Sequence, residues 1–234
     1  SLSPDVFIAV GYTNLLKSEL LSVPRILSAN FHASLLPAYR GKHPVFWALR
    51  NGEKWCGVTV HAMDPGLDTG DILFQVRVRT RRDDSVGSLY DRIIQRSVPL
   101  LGRLVRAVAD GKIPRRKQSE EGASYFSSVG EEDFRIDWTR DAEQIRRWIC
   151  ATPGECFFDL HGTRVFLCDA ERAIVPGEFA PGTIIRLRRD GCVIACGSGA
   201  LRIRSVRVSG GSPEPAAEVL RTLGLEASRS LFGR

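Results

Sequence analysis

The chain has 234 residues and a net charge of +6 at neutral pH, and 43% of its residues are hydrophobic while 26% are charged. These fractions are typical of folded globular proteins and exclude a disordered or collagen-like chain. No apolar run approaches the roughly 20 residues of a membrane-spanning helix. Residues 1–10 lack the basic start and cleavage site of a secretory signal, so we expect a cytoplasmic protein that binds no membrane.

The first half of the chain alternates strand and helix patterns. A continuous apolar run, DVFIAVGY at 5–12, predicts a buried parallel strand, and a helical pattern follows in NLLKSELLSV. Further strands are predicted at RILSANFH, CGVTVHAMD and DILFQVRVRT, with a helix in HPVFWALRNGE between the first two. A long amphipathic helix comes next and is expected to break or kink near Pro99. This order predicts an α/β layer architecture over 1–115.

The second half has the pattern of a separate small unit. The composition of 116–135 is polar and charged, which predicts a linker. Residues 136–212 begin with one helical pattern, for which Thr139 is a candidate N-cap, and continue as short alternating strands separated by Gly/Pro turns. We expect a small β-barrel or sandwich there, followed by a loosely held tail over 213–234.

The cysteines are spaced irregularly, without a CxxC pair or a His/Cys cluster of the zinc type. Clustered oxygen ligands for a hard cation are not apparent either, so we expect no metal site. Free and mostly buried thiols are predicted at all six positions, Cys56, Cys150, Cys156, Cys168, Cys192 and Cys196.

Arginines cluster along the chain, and two of the clusters fall in strand patterns near its carboxyl end. Alternating arginines on a β hairpin line one face with guanidinium groups, and such a face is most often merely solvated. Because several clusters occur in one chain, a polyanionic partner such as RNA is the alternative. The face would consist of Arg186, Arg188, Arg189, Arg202, Arg204 and Arg207.

Polar side chains end the predicted strand RILSANFH. Asn30 and His32 are two residues apart, so both side chains point to one face of the sheet. Asp68 lies in the Gly-rich loop MDPGLDTGDIL between the next two predicted strands. An amide, an imidazole and a carboxylate, with no candidate Ser or Cys nucleophile, favour acid–base and oxyanion chemistry. The alternative is that the strand histidine is only a hydrogen-bonded structural residue.

Two longer motifs favour the first interpretation. The run NFHASLLPAYRG, followed by GVTVHAMDPGLDTGDIL, resembles the signature of the folate-dependent formyltransferases, which act on tRNA, on nucleotide-sugar amines or on other small amines. The later runs RIDWTRDAEQIRRWICA and APGTII resemble the carboxyl-terminal domain of the tRNA-acting type. The resemblance implies a Rossmann-like core followed by a small β-barrel. It also implies that the amino-terminal βαβ units of the family are missing here.

The resemblance assigns roles to individual residues. It implies that Asn30, His32 and Asp68 are catalytic, with protonated His32 and the Asn30 amide stabilising an oxyanion, and that 10-formyltetrahydrofolate is the formyl donor. The implied folate contacts are Val10, Gly11, Tyr12, Leu35, Gly66, Leu67, Thr69 and Gly70. Contacts to the acceptor amine are expected at Ser34, Pro37, Arg40 and Lys42, although the two basic side chains could simply solvate a loop.

The acceptor stays open between several alternatives. The amino group of methionyl-tRNA is favoured, with initiator tRNA bound through the basic carboxyl-terminal arginines. A small amine such as an aminosugar nucleotide or an amino acid derivative, or hydrolysis of the formyl donor, would use the same chemistry. A catalytically weak module that only binds folate or RNA is the third alternative. Among the remaining polar residues, His61 and Asp64 are expected to be core or loop structure, and His43 and His161 surface residues.

Overall fold

Residue contacts divide the chain into two compact units, Ser1–Val129 and Gly130–Arg234. The boundary falls inside the stretch for which composition predicts a linker, 116–135. The structure is a computed structural model that describes residues 3–12, 14, 16–228 and 230–231. Leu15, which belongs to a predicted helix, and Thr13 before it lie outside the described residues, as do Arg229 and residues 232–234 of the predicted tail.

The first unit is built on a mixed four-stranded sheet in the order β1-β2-β4-β5. The pair β1–β2 is parallel, whereas β2–β4 and β4–β5 are antiparallel. A short parallel pair, β3 with β6, lies outside this sheet. The elements are β1 Val6–Val10, α1 Ser18–Leu21, β2 Leu27–His32, β3 Arg40–Gly41, α2 Pro44–Asn51, β4 Trp55–Ala62, β5 Ile72–Arg79, α3 Val86–Ala109 and β6 Tyr125–Phe126.

Helix α3 continues through Pro99, so of the predicted break or kink the break does not occur, and the kink stays a prediction. Its buried side chains lie on both sides of the proline and include Ile93, Leu100 and Leu104. Burial of the apolar face on either side of Pro99 stabilises the helix enough to offset the loss of the backbone hydrogen bond that proline cannot donate. The helix begins with a capping box in which Ser85 accepts from the Ser88 amide.

The second unit contains two four-stranded sheets, in the orders β10-β11-β12-β9 and β14-β13-β8-β7. Among the described residues the strands do not close into one sheet, so the predicted barrel is not confirmed. Strand β12 of the first sheet ends at Ile203, and β13 begins at Ser205 in the second sheet. The elements are α4 Ala142–Ala151, β7 Phe157–Leu160, β8 Thr163–Leu167, β9 Glu171–Ala173, β10 Ile184–Arg188, β11 Gly191–Ala195, β12 Ala200–Ile203, β13 Ser205–Val208, β14 Glu214–Pro215 and α5 Ala216–Thr222.

The core of this unit includes residues that were expected to be a loose tail. Ala216 and Leu220 of α5 are buried in it, as is Leu225 beyond the helix. Removing these apolar side chains from water stabilises the docked segment, whereas a loosely held tail would leave them exposed. Helix α4 is capped by Asp141, which accepts from two backbone amides, and not by Thr139, whose hydroxyl donates to Asp137.

Two other expectations concern the whole chain. All six cysteines are free, and four of them are buried, which confirms the prediction from their spacing. No helix in the described part of the chain is both long and apolar enough to cross a membrane.

Candidate active site

Asn30 and His32 lie two residues apart at the carboxyl end of strand β2. Antiparallel pairing sets Asn30 directly opposite His61 of β4. The loop that follows β4 then returns Asp68 to the same point. The Asn30 Nδ2 atom lies 3.2 Å from His61 Nε2 and 3.4 Å from Asp68 Oδ1. The three predicted polar residues therefore converge, and a histidine that was expected to be structural joins them.

The Asp68 carboxylate is held from a second direction by Gly41. The Gly41 amide donates to Asp68 Oδ2 at 2.8 Å. Gly41 has φ +97°, and a Cβ atom there would lie 2.3 Å from the Phe126 carbonyl oxygen, so only glycine fits. Asp68 itself has φ +55°, a left-handed conformation that aspartate tolerates better than most residues.

His32 is buried, and one of its ring nitrogens is assigned by its partner. Nε2 lies 2.7 Å from the Tyr39 carbonyl oxygen, which can only accept, so Nε2 carries a proton and donates. Nδ1 lies 3.6 Å from Asp68 Oδ2. Burial lowers the pKa of His32 below its ordinary value of 6.5, against the raising influence of Asp68. At neutral pH the ring is therefore neutral with a free Nδ1 lone pair, and the expected protonation of His32 in the intermediate stays a prediction.

His61 is the residue whose place in the cluster the sequence did not reveal. Its Nδ1 donates to the Ala62 carbonyl oxygen at 2.9 Å, which turns Nε2 towards the cluster. There Nε2 lies 3.3 Å from Asp68 Oδ1. Its position in β4, opposite Asn30, follows from the pairing register, so a strand assignment with register could have found it.

The Asp68 carboxyl is strongly acidic in this setting. Burial raises its pKa, but the nearby His61 and His32 and the hydrogen bond from the Gly41 amide together outweigh burial and hold the pKa at about 2. Asp68 is thus ionised at neutral pH beside a neutral His32. The pair combines a fixed negative charge with a proton acceptor.

The stability of the chain is expected to fall as the pH drops below about 6.5. The pKa of His32 is lower in the folded than in the unfolded chain, so between the two values the unfolded chain binds more protons and acid favours unfolding. A second loss is expected from pH 3.8 to about 2, where Asp68 becomes protonated. Thermal unfolding measured against pH should show a weaker decline below 6.5 for His32→Gln, whereas His43→Asn, at an exposed histidine, should decline like the wild type. If the stability of His32→Gln and of the wild type fell equally as the pH dropped below 6.5, the lowered pKa of His32 would be contradicted.

The cluster lies at a cavity of about 690 Å³ within the first unit. Of the residues predicted to contact folate, Gly11, Tyr12, Gly66 and Leu67 line it, and Lys42 of the predicted acceptor contacts also does. Lining residues that sequence reasoning did not single out include Met63, Tyr90, Phe126, Ser127 and Ser128. They come from separate segments of the chain, and no local pattern marks them.

Several predicted folate contacts lie elsewhere. Val10 is 69% exposed at the edge strand. Leu35 packs against the backbone of Gly57, and the Thr69 hydroxyl donates to Asp64 at 2.7 Å. A Cβ on Gly70 would lie 1.8 Å from the Ala62 carbonyl oxygen, so this glycine is required by packing within the loop.

Three predicted acceptor contacts, Ser34, Pro37 and Arg40, do not line the cavity. The Ser34 hydroxyl is buried and donates to the Ala38 carbonyl oxygen at 2.8 Å. Pro37 follows a cis peptide bond in the same loop. Arg40 has no exposed surface and is bonded to Gln118 and Glu120, because the polar stretch expected to be a linker folds over it. His43 is exposed, as expected, and lies on the cavity rim.

No group of three or more His, Cys, Asp or Glu side chains that could hold a metal ion occurs among the residues that the structure describes. An amide, a neutral imidazole and an ionised carboxylate lie together at a cavity beside a mixed sheet, an arrangement typical of enzymes that transfer groups by acid–base chemistry.

Comparison with known proteins identifies the group. The formyl transferase family matches residues 1–105, and its carboxyl-terminal domain matches 128–224. The methionyl-tRNA formyltransferase of Burkholderia ambifaria is 37% identical over 229 residues, which are 96% of this chain and 70% of the relative. The chain therefore belongs to the formyltransferase family.

Solved structures share the fold. HypX from Aquifex aeolicus, determined with tetrahydrofolic acid, matches with a TM-score of 0.68 and 22% identity over 96% of this chain. The match covers 40% of HypX, so this chain spans about two fifths of its length. An N-formyltransferase from Helicobacter canadensis, in complex with folinic acid and dTDP-3-aminofucose, matches with a TM-score of 0.66 and 22% identity, over 84% of this chain and 72% of that one.

Proposed function

We propose that the protein transfers the formyl group of 10-formyltetrahydrofolate to an amine, with Asn30, His32 and Asp68 as its catalytic residues. The observation that carries the proposal is the convergence of these side chains at one cavity. The Asp68 carboxylate lies 3.4 Å from the Asn30 amide and 3.6 Å from the His32 ring. The cavity volume of about 690 Å³ lies in the range of sites that bind small molecules and cofactors. The chain would use a Rossmann-like core for this reaction.

The geometry supports a different role for each of the three residues. His32 Nδ1 and Asp68 Oδ2 are both acceptors and lie 3.6 Å apart. An attacking amine placed beside them can therefore donate its N–H groups to both. His32 then takes the amine proton and, as an imidazolium stabilised by Asp68, returns it to the departing N10 of the folate. The Asn30 amide donates to the oxyanion that forms on the formyl oxygen.

The folate would lie along the apolar part of the cavity. Tyr12 and Leu67 line it and are largely exposed, which leaves apolar surface for a ligand to cover. Lys42 and His43 on the rim would face the acceptor. The family's relatives named methionyl-tRNA formyltransferase support methionyl-tRNA as that acceptor.

A smaller amine is the second candidate, and the arrangement of the arginines favours it. The arginine-bearing strands do not form one free basic face. Arg202 pairs with Asp190 at 3.6 Å and Arg204 with Glu171 at 2.8 Å. Arg207 belongs to the other sheet, where it lies 4.2 Å from the centre of the Phe166 ring. Of the six arginines predicted to form the face, Arg188, Arg189 and Arg204 are exposed, and Arg204 is paired with Glu171.

An acceptor comparison tests the proposal. The chain is incubated with 10-formyltetrahydrofolate and, in turn, methionyl-tRNA, an aminosugar nucleotide or no acceptor, and tetrahydrofolate release is followed. Formylated methionyl-tRNA is the expected product. Release without any acceptor would make the protein a hydrolase of the donor, and no release under any condition would refute formyl transfer.

Binding of tRNA is expected to weaken with salt through the exposed arginines. Each phosphate contact adds about 0.9 to the log–log slope on a duplex, so Arg188→Gln with Arg189→Gln should lower the slope by about 2. Arg204→Gln is the matched control, because Glu171 already neutralises that charge, and should change the slope little. Filter binding at several salt concentrations measures the slopes. Equal slopes in all three proteins would remove this surface from the acceptor site and favour the smaller amine.

A further inference from the structure

Arg40 is the only fully buried arginine among the largest buried side chains of the described residues, and it lies directly before Gly41. Its guanidinium contacts residues of the 116–126 segment. Nε and Nη2 donate to Gln118 Oε1 at 3.2 and 3.0 Å, and Nη1 donates to Glu120 at 3.2 Å. A buried cation with this many partners is costly to remove, so the contact fixes both segments.

Gln118 continues this contact to the loop of Asp68. Its Nε2 donates to the backbone carbonyl oxygens of Asp68 and Gly70, each at 2.7 Å. Both amide hydrogens face carbonyl oxygens and the amide oxygen faces a guanidinium. The side chain therefore uses its full hydrogen-bonding capacity. With the amide reversed, its oxygen would face the two carbonyl oxygens and its NH2 group would face the guanidinium.

The 116–126 segment is anchored on both sides of Gln118. Before it, Arg116 and Ile72 exchange backbone hydrogen bonds of 2.8 and 3.0 Å. After it, β6 pairs with β3, and Tyr125 lies opposite Arg40. The backbone on either side of Gln118 is thus tied to β5 and to β3.

The backbone at Asp68 requires such support. Its left-handed φ of +55° is an uncommon conformation for a residue with a side chain. Gln118 bonds the carbonyl of Asp68 itself and that of the second residue after it. Gly41, adjacent to Arg40, meanwhile bonds the Asp68 carboxylate at 2.8 Å. The backbone and the side chain of Asp68 are therefore fixed from the same two neighbouring segments.

We propose that Gln118 and Arg40 form a positioning pair that sets the Asp68 carboxylate against His32 and Asn30. The inference rests on the proposed function only for its effect on turnover. Gln118 does not line the cavity and Arg40 has no exposed surface, so neither touches a ligand there. The pair acts through Asp68, which assigns a role in the active site to a segment whose composition indicates a linker.

Gln118→Met, which keeps the length of the side chain and removes its hydrogen bonds, tests the pair. We expect kcat to fall about 10²-fold, as displacement of a reacting group by about 1 Å can cause, with the dissociation constant of tetrahydrofolate changed less than about threefold. Arg40→Met should cause a similar loss, and the double variant should lose no more than either, because the two side chains act as one unit. Glu121→Gln, an exposed position of the same segment, is the control and should turn over normally.

A substrate-free measurement separates positioning from a purely structural role. In the wild type the Gly41 amide donates to an ionised carboxylate, so its proton signal should lie downfield in the NMR spectrum. Gln118→Met should move the signal upfield. If that variant does not fold, Gln118→Glu replaces it, since glutamate still accepts from Arg40 but cannot donate to either carbonyl.

Two results would overturn the inference: an unchanged Gly41 signal with normal kcat, or a loss of turnover that only follows the folded fraction. Failure of the proposed function is recognised separately, because the wild type would then transfer no formyl group. The Gly41 signal would still decide whether Gln118 positions Asp68.

Discussion

Replacing Asp68 with asparagine is expected to lower kcat for formyl transfer by about 10³-fold while the chain stays folded. The substitution keeps the size of the side chain and its acceptor oxygen, but it removes the negative charge that would stabilise an imidazolium at His32. His32→Ala should cause a loss of similar size, because it removes the proton acceptor itself. Turnover of saturating formyl donor and acceptor is the measurement, and circular dichroism verifies the fold.

Asp71→Asn provides the matched control. Asp71 belongs to the same loop, but its carboxylate lies 3.7 Å from Arg115, outside the Asn30–His32–Asp68 cluster. Its kcat should stay within about threefold of the wild type, since a partly exposed ion pair contributes little. Near-normal turnover of folded Asp68→Asn would remove this carboxylate from the reaction, and equal losses in both variants would indicate a general effect of the loop.

The part of the site that the sequence could predict depends on local geometry. Side chains two residues apart in a strand share a face, so Asn30 and His32 could be placed together from the strand pattern alone. Asp68 could be singled out in its Gly-rich loop, but its position beside them required the resemblance to a family, because nothing local brings a loop back to the end of a strand. The α/β architecture likewise followed from hydrophobic runs whose lengths and periods are local properties.

The residues that were missed are brought in by long-range pairing. His61 reaches the cluster because β4 runs antiparallel to β2 in a register that sets it opposite Asn30. Gln118 lies 50 residues from Asp68 in a polar stretch without periodicity. Arg40 resembles an exposed loop arginine and is buried only because that stretch folds over it. None of these contacts alters the local composition on which sequence interpretation depends.

The carboxyl-terminal segment shows the opposite case, in which a local signal was present. Ala216, Val219 and Leu220 have the spacing of one helical face, and all three are buried. The barrel prediction is not confirmed, and alternating strands could not decide it, since they indicate buried and exposed faces but not which edges pair.

Gly70→Ala is expected to give the largest loss of stability among small changes near the site. The added Cβ would lie 1.8 Å from the carbonyl oxygen of Ala62, a backbone atom that cannot rotate away. That carbonyl also accepts from His61 Nδ1, and the Gly70 carbonyl accepts from Gln118. The clash should therefore cost about 1–3 kcal/mol in the free energy of unfolding and displace the groups that hold Asp68. The melting temperature and kcat should both fall.

The control for this prediction is Gly102→Ala. Gly102 lies inside α3 with no atom within 4 Å of an added Cβ, so alanine should raise the free energy of unfolding by about 0.5–1 kcal/mol and leave kcat unchanged. The pair also decides between two explanations of Gly70. If the glycine served to let the backbone approach the folate, Gly70→Ala would raise KM for the donor at unchanged stability. Since the clash is with Ala62 in the unliganded chain, we expect the melting temperature to fall even in the absence of folate.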